Sequence, residues 1–198
     1  MSMAASRHKL AAIALLAACT AAAAQEREQL PIQLEARSQD LDFQKGVLKF
    51  DTVTITQGQV RITAERAVAN GLDFKDSAWE FSGSVRISMP ESTLASDTAE
   101  VKFAGGEVAS AIVTGTPATF TQQREGQQSE GRANRIDYDL QRGTVEFSGD
   151  AWLKDGRNEV TSETLVYSTA TQRVISKEPV VITIQPGEAA PEKPKPDS

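Results

Sequence analysis

The chain has 198 residues, with 27 acidic against 21 basic side chains for a net charge of −6, and it contains one His and one Cys. An acidic chain of this length suits one domain with its own core and argues against nucleic acid or a strongly anionic membrane as its main partner. His8 and Cys19 both stand near the N-terminus, so the body of the chain has no Ser-His or Cys-His nucleophile pair, no zinc ligand set of the usual kind and no disulfide.

Arg7, His8 and Lys9 precede an apolar run over 10–18 and a small-residue stretch ending at Ala24. This is the three-part layout of a secretory signal, and its apolar run is too short to span a bilayer. Cleavage after Ala24 is expected, which makes 1–24 a signal peptide and sends the mature chain to the periplasm. It removes Arg7 and Lys9 and no acid, so the mature chain is more acidic still. The alternative is Cys19, because Leu16-Ala17-Ala18-Cys19 resembles a lipobox at which a lipoprotein is cleaved and acylated.

Residues 26–31 lead into a folded part expected over 31–185. Along it apolar and polar residues alternate with period two, and no stretch holds a helical period. In chain order the pattern predicts strands at 48–50, 53–55, 60–64, 79–88, 94–103, 108–113, 118–121, 132–138, 145–154, 160–167 and 173–184. Trp79, Phe81, Gly83, Val85 and Ile87 share one face of their strand, and Val145, Phe147, Gly149, Ala151 and Leu153 share one face of theirs. Turn residues separate most strands, as at Gln57-Gly58, Asn70-Gly71, Gly105-Gly106, Arg142-Gly143 and Asp155-Gly156. The segment 186–198 is rich in Pro, Glu and Lys, has little to bury, and reads as a disordered tail.

An internal repeat underlies the pattern. Glu80-Phe81-Ser82-Gly83 recurs as Glu146-Phe147-Ser148-Gly149, and each is followed by a Ser-acid pair, Ser96-Asp97 and Ser162-Glu163. Related pieces stand at Ala64-Glu65 and Ala133-Asn134, so the unit is roughly 30 to 37 residues of strand, turn and strand. Stacked hairpins with one apolar face each must bury those faces against one another. The expected fold is therefore all-β: an elongated, open β-jellyroll of two facing antiparallel sheets. Its end strands, near 32–36 and 174–184, are edges open to strand addition.

The chain resembles the periplasmic lipopolysaccharide-transport proteins of the LptA/OstA-like family. The resemblance rests on 31–36 (PIQLEA), 56–65 (TQGQVRITAE), 115–120 (GTPATF), Glu130-Gly131-Arg132-Ala133, Tyr138-Asp139-Leu140 and the segment from Phe147-Ser148-Gly149 to Tyr167. It covers nearly the whole folded part, while 72–114 departs from the pattern by what reads as an extra hairpin. The resemblance implies a V-shaped cross-section and a non-catalytic bridge with no cofactor. Such a bridge takes lipopolysaccharide from an inner-membrane complex and passes it to an outer-membrane assembly through edge strands, in head-to-tail homo-oligomers.

Moving an acyl chain from lipid into water costs about 0.8 kcal/mol per methylene, on the order of 10 kcal/mol for twelve carbons. A carrier must therefore offer a continuous apolar lining. The resemblance places Ile32, Leu34, Phe120, Tyr138 and Leu140 along that groove for the lipid A chains, and strand parity turns Phe50, Phe81 and Phe147 inward beside them. For each, ordinary core packing is the competing reading.

Trp152 falls on the polar face of its strand, where it marks a candidate partner contact. The pairs Asp40/Asp42 and Asp137/Asp139 each share a face, an arrangement that solvated carboxylates explain as well as a cation or an acid pair does. Two other function classes compete: a periplasmic scaffold that binds partner strands without lipid, and a glycan hydrolase. The second needs two converging carboxylates, and no such constellation stands out.

Overall fold

The computed structural model describes residues 30–42, 44–71 and 74–184. The expected signal peptide (1–24) with Cys19, and the expected tail (186–198), lie outside the described residues. Eleven strands follow one another: β1 (Ile32–Asp42), β2 (Val47–Gln57), β3 (Val60–Asn70), β4 (Asp76–Ser88), β5 (Ser92–Ala104), β6 (Glu107–Arg124), β7 (Gln127–Asp139), β8 (Thr144–Asp155), β9 (Asn158–Ser168), β10 (Arg173–Ile175) and β11 (Val181–Ile184). Each pairs antiparallel with the next in a single sheet from β1 to β10, and β11 also pairs with β9.

The two facing layers expected from the sequence are two leaves of this one continuous sheet. Most strands cross a crease near their middle, where the register breaks: 63/66 on β3, 82/85 on β4, 95/98 on β5, 114/118 on β6, 132/135 on β7 and 148/151 on β8. On β4 and β8 the break holds two successive left-handed residues, Gly83 (φ +80°) and Ser84 (+48°), then Gly149 (+76°) and Asp150 (+52°). Such bulges put extra residues on one strand of a pair, so the strand bends.

The repeat seen in the sequence is this crease. Glu65 on β3 accepts a 2.9 Å hydrogen bond from Ser84 Oγ, Asp97 on β5 accepts one of 3.2 Å from the Thr116 amide, and Asn134 on β7 donates a long one of 3.5 Å to Asp150. In each case a polar side chain on an odd-numbered strand holds the bulged residue of the next.

Three expectations change in extent. Residues 48–50 and 53–55 are one strand whose register holds across left-handed Thr52 (φ +51°), and 108–113 and 118–121 are one strand because a bulge bends a strand without ending it. By contrast, 173–184 is two short strands. Between them 176–180 leaves the ladder at the crease, where the Pro179 carbonyl and Ser176 Oγ both meet Ser162 Oγ at 3.1 Å.

The core fills the space between the leaves. Val53, Ile55, Ile62, Val85, Ile87, Leu94, Ala118, Phe120, Ala151 and Leu153 come from one leaf; Leu48, Phe50, Trp79, Phe81, Val101, Val113, Ile136, Val145, Phe147, Leu165 and Tyr167 come from the other, and all are buried. Nine or ten strands at about 4.8 Å spacing make the sandwich roughly 45 Å long across the strands.

Candidate functional site

Ring contacts show how closely the leaves approach. Phe120 on β6 pairs with Gly131 on β7, and Tyr138 lies seven residues further along β7. In a flat sheet that offset is roughly 23 Å, yet the two ring centroids are 6.0 Å apart, edge to face. Phe120 also meets Phe147 at 5.8 Å and Tyr167, three strands away, at 6.1 Å. Gly131 makes room for this packing, since a Cβ there would run into the Phe147 ring.

The residues proposed from sequence for the groove all face this interior. Phe50, Phe81, Phe120 and Phe147 are buried in it, and Tyr138 nearly so. Ile32, Leu34 and Leu140 are half-buried and pack against it. They run from β1 to β8 along the long axis. The interior is occupied by side chains from both leaves, with Phe120 and Phe147 fully buried, so a guest between the leaves requires them to part.

The margin opposite the crease carries polar fastenings that the sequence reading missed. The Tyr167 hydroxyl donates to Gln122 Oε1 at 3.0 Å and lies 3.1 Å from Ser129 Oγ, which donates to Asp155 at 2.9 Å. Arg124 Nη1 donates to the Thr169 and Ala170 carbonyls at 3.0 and 3.1 Å. Gln57 Nε2 donates to the Gly106 carbonyl at 2.6 Å. Apart from the Ser129–Asp155 bond, which lies within one leaf, each joins the 53–57 or 118–133 leaf to a strand end or turn of the other. Burial pushes the Tyr167 phenol above its ordinary pKa, against the opposing pull of the Ser129 hydrogen bond. The signal for this latch was the inward parity of polar Gln122, two residues from Phe120, and of Ser129, two from Gly131.

Along the axis the interior has two halves of different chemistry. The latch serves the half around Phe120, Tyr138, Phe147 and Tyr167. The other half is an aromatic stack in which Trp79 lies against Phe74 at 4.7 Å, Phe50 at 5.8 Å and Phe81 at 6.2 Å, with Phe103 edge-on at 6.5 Å.

Four of the remaining sequence candidates, Trp152, Asp42, Asp137 and Asp139, are engaged locally. Trp152 lies under the Arg132 guanidinium at 4.4 Å and donates to Glu159 at 3.4 Å, so its ring is engaged within the chain. Asp42 accepts from the Gln44 and Lys45 amides and pairs with the Lys45 ammonium at 3.2 Å, contacts with Lys45 and Gln44 that hold its carboxyl below the usual range. Asp137 is bidentate with Arg135, and Asp139 accepts from the Arg142 amide. Among the described residues no cluster of three or more His, Cys, Asp or Glu could hold a metal ion.

Both edges of the sheet are free among the described residues. At the C-terminal edge Val181, Ile182 and Ile184 are 66%, 59% and 70% exposed. Ile182 pairs with Val160, which pairs with inward-facing Leu153, so the apolar inner face runs out to this edge uncovered.

Comparison with known proteins agrees with this architecture. Residues 67–173 match the family model described as LptA/(LptD N-terminal domain) LPS transport protein, a span that includes all of 72–114. The chain is 26% identical over 162 residues to the lipopolysaccharide export system protein LptA of Haemophilus influenzae, covering 81% of this chain and 77% of that one. It is 26% identical over 148 residues to the LptA of Escherichia coli K12, covering 73% of this chain and 63% of that one. The crystal structure of LptH, the periplasmic LptA homologue of Pseudomonas aeruginosa, superposes with a TM-score of 0.51 at 18% identity over 79% of this chain and 96% of that one, a likeness of fold.

Proposed function

The chain belongs to the LptA/(LptD N-terminal domain) LPS transport protein family, and on that premise we propose that it is a periplasmic bridge that shields the acyl chains of lipopolysaccharide between its leaves. The observation that carries this reading is the interior itself. Apolar side chains line both leaves from Ile32 and Leu34 to Tyr167, with polar groups such as Gln122 and Ser129 confined to the margin. Their contacts across the leaves are mostly van der Waals and ring packing, which acyl chains can replace like for like.

The energetics favour that exchange. Parting the leaves around Phe120 breaks a few hydrogen bonds, each worth about 1 kcal/mol net. Sheltering one twelve-carbon chain recovers on the order of 10 kcal/mol relative to water. The crease keeps the leaves covalently continuous while the margin opens. No step breaks a bond in the lipid, so the role is non-enzymatic and needs no cofactor.

Partners follow from the edges. The uncovered strand at Val181–Ile184 and the β1 edge at the other end each offer unpaired backbone to a further strand. We propose that inner- and outer-membrane components of the transport system, and further copies of the chain, join there head to tail.

The test is a photoreactive side chain at Phe120, which faces the other leaf, against the same probe at Thr119, on the outer face. Cross-linking to lipopolysaccharide in living cells is expected at Phe120 and much less at Thr119. Equal labelling, or none in a folded protein, would overturn the groove in favour of a scaffold that works through its edges alone.

A further inference from the structure

Among the described residues, two buried donors in the aromatic half have no acceptor. Trp79 is fully buried and its Nε1–H has no hydrogen-bond partner; the same is true of the buried Ser77 Oγ. Buried polar groups in folded proteins are nearly always bonded, so each such exception calls for a reason. Packing alone supplies none. Trp79 sits in a cage of Phe50, Phe74, Phe81 and Phe103, where a further phenylalanine would stack with no orphaned N–H. The other half of the interior shows the contrast, because there Tyr167, Gln122, Ser129 and Asp155 bond one another.

Position adds a second argument. Ser77 and Trp79 are two apart on β4 and share its inner face, roughly 7 Å from each other. Ser77 pairs with Phe103 and Trp79 with Val101, which puts Ser77 near the margin opposite the crease and Trp79 one step toward the crease. A lipid lying between the leaves with its head at the margin and its chains toward the crease brings the atoms that join chain to head to this depth. Those atoms include a carbonyl oxygen, the acceptor that an indole N–H and a hydroxyl both require.

We propose that Trp79 Nε1–H and Ser77 Oγ–H form a hydrogen-bonding subsite for the carbonyl of an ester- or amide-linked acyl chain, with the surrounding phenylalanines holding its first methylenes. The inference rests on the reading that the interior carries acyl chains. It adds that the aromatic half recognises an acyl linkage, where an unbroken apolar lining would accept any alkyl chain.

The experiment uses two commercial amphiphiles with disaccharide heads and twelve-carbon chains, sucrose monolaurate with an ester carbonyl and dodecyl maltoside without one. The full mature chain is labelled with nitrogen-15 at its two tryptophans, and Trp152, already bonded to Glu159 on the outer face, serves as the internal reference. Sucrose monolaurate should move the Trp79 indole proton downfield, dodecyl maltoside should not, and the Trp152 signal should stay in place for both. The ester should also bind about fivefold more tightly than the glycoside, the worth of one hydrogen bond, and Trp79→Phe should abolish that preference. Equal binding of both with no ester-specific shift at Trp79 overturns the subsite and leaves the groove standing. Binding of neither overturns the groove and the subsite together.

Discussion

The Tyr167 hydroxyl on β9 donates a 3.0 Å hydrogen bond to the amide oxygen of Gln122 on β6, so two strands that are not neighbours in the sheet are fastened through a polar contact inside an otherwise apolar interior. Gln122 is itself 4% exposed, so water has little access to its oxygen. Tyr167→Phe keeps the ring against Phe120 and removes only the hydroxyl. Leaving a buried acceptor unsatisfied costs about 1–3 kcal/mol, which for a chain of this size lowers the melting temperature by about 2–4 °C per kcal/mol. A melting curve followed by circular dichroism measures the drop. Because the leaves are then less firmly closed, uptake of lipopolysaccharide should be faster in stopped-flow fluorescence, and a slower uptake would contradict the latch.

The same hydroxyl sets an alkaline limit. Burial raises the Tyr167 pKa above the ordinary 10.0, with Asp155 and Tyr138 adding to the rise and Ser129 and Arg124 opposing it. A tyrosine whose folded pKa is raised contributes stability that is fully present below the unfolded pKa of 10.0 and is lost as pH rises through the folded value. The difference in urea stability between the natural chain and Tyr167→Phe should therefore hold constant from about pH 7 to about pH 9 and shrink above about pH 10. A difference that shrank near neutral pH would assign it to another group.

The crease makes a ranked prediction for glycine. Gly83 has φ +80°, and a Cβ there would lie 2.8 Å from Glu65 Cβ; Gly149 has φ +76°, and its Cβ would lie 3.1 Å from Asn134 Cβ; Gly156, in a hairpin turn, has φ +58° and open space. Alanine at Gly156 should cost only the left-handed penalty of about 1 kcal/mol. Gly149→Ala should cost more, and Gly83→Ala, which forces the Glu65 side chain off its bond with Ser84, should cost the most. Denaturant titration of the three variants checks the order, and equal losses would mean that the bulges tolerate a side chain.

Period-two alternation was enough to find the strands because it survives the crease: Phe147 and Ala151, four residues apart, are both buried although the ladder shifts between Ser148 and Ala151. The repeat was visible as letters, but its meaning was not. The bond from Ser84 to Glu65 spans 19 residues, and only the folded sheet brings them together. That Phe50, Phe81 and Phe147 face inward was legible for the same reason as the strands, while Ile32, Leu34, Phe120, Tyr138 and Leu140 were picked out by the family resemblance. That the leaves pack shut on one another, with Phe120 against Tyr167, was not legible, because parity tells which face a side chain takes and not how far the opposite leaf stands. Nor was the latch, whose Gln122 and Tyr167 are 45 residues apart.

The C-terminal edge carries the last prediction. Ile182 and Ile184 extend the inner apolar face beyond the last covered strand and are 59% and 70% exposed. Lysine at both positions removes no buried contact, so thermal stability should change little, within about 0.5 kcal/mol for each site. An edge strand bearing inward-pointing charges resists the approach of another strand, and a second chain placed end to end would have to bury both ammonium groups against its own apolar lining. On the proposed assembly, the double variant Ile182→Lys and Ile184→Lys should therefore stay monomeric on a sizing column at concentrations where the natural chain is expected to lengthen into oligomers, and should fail to capture the proposed membrane-bound partners. Its single-chain binding of lipopolysaccharide should persist, because Phe120 lies on β6, three strands from the β9 that β11 pairs with. Undiminished association would place the contact at some other surface, and loss of lipid binding together with association would mean that the edge is itself part of the lipid path.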